Sequence, residues 1–109
     1  MEHLLELARQ LGKKVAEHQR TVLLKQAQKA VDDDPKAVEI VQQYQQQVGK
    51  IHRLEQERKP IEVADKRKLA DLETSVITNP ILTTLTKRQV DFVELMQKIK
   101  TTIDKQLEI

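Results

Sequence analysis

The chain has no cysteine and no tryptophan, and only two glycines and three prolines in 109 residues. Without thiols it can form no disulfide, no zinc–thiolate site and no cysteine-ligated iron–sulfur centre. With one Phe and one Tyr, aromatics make up 2% of the chain. The core must therefore be built from Leu, Ile, Val and Ala, which bury less area per side chain. Few glycines and prolines leave little turn punctuation, so the elements should be long. No apolar run approaches the ~20 residues needed to cross a bilayer as a helix. The opening Met1-Glu2-His3-Leu4-Leu5-Glu6 lacks the basic-then-apolar order of a signal peptide. A cytoplasmic location without membrane attachment is the expectation.

Charged residues are abundant, at 33%, but the two signs are interspersed and the formal net charge is only +2. That pattern describes a solvated surface rather than a nucleic-acid footprint, which gathers one sign on one face. Apolar residues recur at helical spacing and seldom alternate, so the class is all-α. Length points to a single helical domain over residues 1–109.

Leu4, Leu7, Leu11, Val15, Val22 and Ala30 predict a first helix running to about Val31. Gly12 lies inside it, at a cost of roughly 1 kcal/mol. It marks either a weak point or a close packing contact. Asp32-Asp33-Asp34 suits the start of a second helix, with Asp33 or Asp34 as cap and Pro35 just inside. That helix should reach Arg58, with Val38, Ile40, Tyr44, Val48, Ile51 and Leu54 inward. The tract Gln42–Gln47 reads as exposed helix face, since Gln is a good helix former. Lys59-Pro60 interrupts the pattern. A short third helix follows from Val63 to Ile77.

The fourth helix begins after Asn79, whose side chain can cap the free amides of the first turn. Pro80 stands at the first helical position. Leu82, Leu85, Phe92 and Met96 are its expected core stripe, continued by Ile99 and Ile103. The predicted fold is thus an antiparallel bundle of about four helices, two of them long. A helix of ~30 residues spans ~45 Å, whereas a small domain is ~30 Å across. Leu4, Leu7, Leu11, Ile99, Ile103 and Leu107 should therefore be sheltered by oligomerisation, a homodimer being the first expectation.

Sites for chemistry are scarce. His18 and His52, with Glu17 or Glu55, could be brought together by antiparallel pairing. A histidine on a helical face is more often a packed or half-exposed side chain, and no metal or other cofactor is expected. The acids sit at helix starts or alternate with bases, unlike the buried, separated carboxylates of acid–base catalysis. No nucleophile elbow, phosphate-cradling loop or HExxH pattern occurs. The residues argue against an enzyme. Arg58, Lys59, Lys66, Arg67 and Lys68 form the densest basic group. It could dock an acidic protein, or contact RNA through phosphates. The absence of aromatics for stacking, with Glu62 and Asp65 close by, weighs against RNA.

Several phrases together carry a resemblance: Ala8-Arg9-Gln10-Leu11-Gly12, Ala37-Val38 followed by Tyr44, Leu72-Glu73 before Asn79-Pro80, and Val90 through Met96. Over about Leu4 to Lys100 the chain resembles the YlbF/YmcA/YheA family of small helical bacterial regulators. The resemblance implies a cytoplasmic, all-helical and usually oligomeric protein acting through protein contacts. Some members assemble into a complex that influences competence, sporulation and biofilm formation by assisting RNA maturation. The iron–sulfur clusters linked to some members through cysteines do not carry over to this chain.

Overall fold

The computed structural model describes residues 1–108. Five helices account for most of them: α1 (Glu2–Glu17), α2 (Gln19–Asp32), α3 (Pro35–Gln56), α4 (Val63–Thr78) and α5 (Pro80–Leu107). No strand occurs among the described residues. The expected first helix is two helices, because His18 interrupts it. His18 is extended, at φ −64° and ψ 143°. Its Nδ1 accepts from the Arg20 N–H at 3.1 Å, and its carbonyl accepts from the Thr21 and Val22 N–H groups at 3.0 Å. A side chain that hydrogen-bonds the backbone locally competes with the helix ladder, and here it wins.

The chain forms two compact units, Met1–Lys29 with Leu85–Ile109, and Ala30–Thr84. The division falls inside α2 and inside α5.

In the second unit α3 packs on α4, with Val31, Ala37, Ile40, Leu72 and Leu82 buried. Asp34 stands at the cap of α3 with Pro35 behind it, but makes no side-chain hydrogen bond there. In the glutamine tract Gln42, Gln43, Gln45 and Gln46 are exposed as expected, and Gln47 alone departs. Gln47 is 3% exposed, while Val48 is 40% exposed. The Gln47 amide donates to the Asp65 carbonyl at 2.9 Å, and Lys50 donates to the Asp65 carboxylate at 2.9 Å. The inner stripe of α3 thus turns toward a polar latch on the first turn of α4.

After α3 the chain closes in a Schellman turn: Lys59 N–H donates to Leu54 O and Arg58 N–H to Glu55 O. Arg58 holds the left-handed position, at φ 55°. At the next corner Asn79 caps α5 as expected, its Oδ1 accepting from the Ile81 and Leu82 amides at 3.0 and 3.1 Å.

In the first unit Thr21 and Ala27 are buried. On α5, Leu85, Phe92, Leu95 and Ile99 are half-buried, and Met96 is 41% exposed. Met96 is therefore not a core residue of the single chain. From Phe92, three residues lead to Leu95 on the covered side and four lead to Met96 beside it.

A candidate protein-docking face

Within the unit of Met1–Lys29 with Leu85–Ile109, Arg20 links α2 to α5. Arg20 of α2 donates to the Asp91 carbonyl of α5 at 3.0 Å and lies 3.7 Å from the Glu94 carboxylate. Lys98 reaches Glu94 at 3.1 Å. The Lys98 hydrogen bond and charge, then the Arg20 charge, hold the Glu94 carboxyl below its ordinary value. Asp65, in the other unit, is lowered in the same sense, chiefly by its hydrogen bond from Lys50. Neither the Arg20 link nor the Gln47 latch follows from local pattern, because both join residues far apart in sequence.

Along α1 nothing is buried. Leu4, Leu5, Leu7 and Leu11 are 67%, 43%, 47% and 41% exposed. Leu11 meets α5 at an open groove of about 300 Å³ lined also by Lys98, Ile99, Thr102 and Ile103. The six residues expected to form an oligomer interface thus divide. Leu11, Ile99 and Ile103 come together within the chain, whereas Leu4, Leu7 and Leu107 stand exposed, Leu107 at 60%. Ile103 does both, since it lines the groove and is 51% exposed. Val90 and Val93, at 60% and 56%, extend the exposed apolar surface of α5.

The basic corner is more diluted. Lys59 pairs with Glu57 at 3.0 Å, and Asp65 sits beside Lys66, Arg67 and Lys68 in α4. Arg58, Lys66 and Arg67 make no ion pair among the described residues. His18 is committed to the helix junction, and no three His, Cys, Asp or Glu side chains gather as a metal site among the described residues. No described helix is long and apolar enough to cross a membrane.

The family model described as control of competence regulator ComK, YlbF/YmcA, matches residues 4–108. The chain belongs to the YlbF/YmcA family. A solved structure of Bacillus subtilis RicA, in complex with RicF, superposes with a TM-score of 0.86 and covers 97% of this chain and 94% of that one. At 12% identity the likeness to RicA is one of fold. A search among curated proteins finds no significant sequence match. This YlbF/YmcA chain therefore has the all-α architecture expected from its periodicity, in a family linked to competence control.

Proposed function

We propose that the chain is a non-enzymatic protein-interaction module, a cytoplasmic helical adaptor that works as an oligomer or within a regulatory complex. The observation that carries this reading is α1: a 16-residue helix, apolar along one side, with no buried residue. An isolated helix of that length is marginal in water, so its apolar side calls for a protein surface. Family membership adds the setting, a regulatory complex linked to competence and, through the resemblance, to RNA processing, sporulation or biofilm formation. That RicA is found in complex with RicF supports protein contact as the mode of action.

The test is reconstitution. A tagged chain is used to find its protein partner in the native cell. Both are then purified and mixed, and the complex mass is measured by light scattering. Leu7→Glu and Leu107→Glu should each abolish the complex while leaving circular dichroism of the folded chain in place. A complex of unchanged mass with both variants would overturn the reading. Direct RNA contact at Arg58–Lys68 is the competing outcome: filter-bound RNA that is released steeply by salt and lost on Arg67→Glu would replace the adaptor reading.

A further inference from the structure

We propose that His18 is a proton-operated joint: its neutral ring holds α1 alongside α5, and protonation lets α1 run straight on from α2 and leave α5. The inference goes beyond the protein-interaction reading and is tested within one chain. At about 100° per residue, Leu4, Leu7, Leu11 and Val15 share one stripe of α1. Were the helix unbroken at His18, Arg20, Thr21 and Ala27 would stand roughly 150° round from that stripe. Yet Leu11 and Arg20 both reach α5. Leu11 meets Ile99 and Ile103, while Arg20 donates to the Asp91 carbonyl at 3.0 Å, and Thr21 and Ala27 are buried. The extended backbone of His18, at ψ 143°, supplies the change of phase. Val22, which an unbroken helix would align with Leu11, is 40% exposed.

The side chain that keeps the bent form is titratable. His18 Nδ1 accepts from the Arg20 N–H at 3.1 Å, so the neutral ring carries its proton on Nε2. A second proton goes to Nδ1 and turns this acceptor into a donor facing a donor. Imidazole is the ordinary side chain that changes charge between pH 5 and 8. Proton uptake removes the cap and so favours the straight form, in which the Arg20 N–H bonds the carbonyl four residues back. Charged groups near the joint are Lys14 and Glu17 of α1, Arg20 of α2, and Arg88, Asp91 and Glu94 of α5. Arg20 lies 3.7 Å from the Glu94 carboxylate and Arg88 3.9 Å from that of Asp91, so the acids of α5 are engaged. The dipoles of α1 and α2 act on a charged His18 in opposite senses, which leaves the lost cap to decide. The moving part is α1, because it buries no residue, whereas α2 is anchored by Arg20, Thr21 and Ala27. Straightened, the chain carries Leu4, Leu7, Leu11, Val15 and Val22 as one stripe on the side away from α5.

The cysteine-free chain accepts spin labels at introduced sites only. Gln10→Cys with Gln106→Cys places labels beside Leu11 and one turn beyond Ile103. Labelled chains are diluted into unlabelled chain, and the label separation is measured at pH 8 and at pH 5.5, both above the range in which carboxylates ordinarily take up protons. One short separation should dominate at pH 8. At pH 5.5 a longer separation should grow roughly five-fold over its pH 8 level, as loss of one capping bond dictates. His18→Asn keeps a capping oxygen that does not titrate, and should hold the short separation at both pH values. His18→Ala cannot cap, and should raise the longer separation already at pH 8. His3→Gln with His52→Gln should leave the response as it is. A distribution that does not change with pH, a change that persists in His18→Asn, or a His18→Ala chain that stays short at pH 8 would each overturn the joint. The adaptor reading stands or falls separately, on reconstitution with its partner.

Discussion

Thr21 is 7% exposed and its hydroxyl has no hydrogen-bond partner among the described residues. Leaving a buried hydroxyl unsatisfied costs about 1–3 kcal/mol, so Thr21→Val, which keeps the shape, should raise the thermal midpoint. An unchanged or lower midpoint would show that the hydroxyl is satisfied. Arg58 at φ 55° carries a similar local cost, because a side chain in the left-handed region is strained by roughly 1–2 kcal/mol. Arg58→Gly should stabilise by about 1 kcal/mol in urea unfolding. Asn79→Ala should destabilise by about 1 kcal/mol through loss of two capping bonds. Asp65 and Glu94 set the acid response. Both carboxyls are held below their ordinary values in the folded chain. The unfolded state therefore takes up protons first as pH falls through ~4, and stability drops there. Stability measured from pH 6 to pH 3 should show that fall, and the double variant Asp65→Asn/Glu94→Gln should flatten it. Asn79-Pro80 was legible in the sequence because capping is local chemistry. Gln47 was not, because a glutamine within a polar tract gives no local sign of an aspartate eighteen residues ahead.

Among the elements, α3, α4 and α5 follow from period and punctuation to within two residues at each end. The division of the first segment at His18 does not. Histidine is neither Gly nor Pro, and the apolar period runs on across it, so the pattern predicts one rod. Only the ring nitrogen that accepts the Arg20 amide reveals the junction. On α5 the expected stripe and the covered side part at Met96, since three- and four-residue steps from Phe92 both land on apolar side chains and Leu95 is the more buried. No other side chain of the described residues lies within 4 Å of a methyl group built on Gly12, so Gly12→Ala should strengthen α1 by up to about 1 kcal/mol. Helix content by circular dichroism should rise, and an unchanged or lower content would contradict this.

For the whole molecule, the sequence made the all-α class plain, and its expectation of apolar helix surface for a partner chain passes into the proposal on the exposed Leu4, Leu7 and Leu107. It did not separate contacts made inside the unit from those left open. Leu11, Ile99 and Ile103 share one apolar period with Leu4 and Leu107, and period alone cannot say which neighbour arrives. The expectation of a single domain over residues 1–109 becomes a statement about cooperativity. With the unit division falling inside two continuous helices, calorimetry should give one transition with equal calorimetric and van't Hoff enthalpies. Two resolved transitions would make the units independent. The claim on which function depends is that another protein chain covers α1. Amide hydrogen exchange across Glu2–Glu17, followed over a dilution series of the pure protein, addresses it directly. The account predicts slow exchange at high concentration that accelerates on dilution, while α3 and α4 are unaffected. Rapid exchange throughout α1 at every concentration, and equally rapid exchange with a purified partner present, would contradict it.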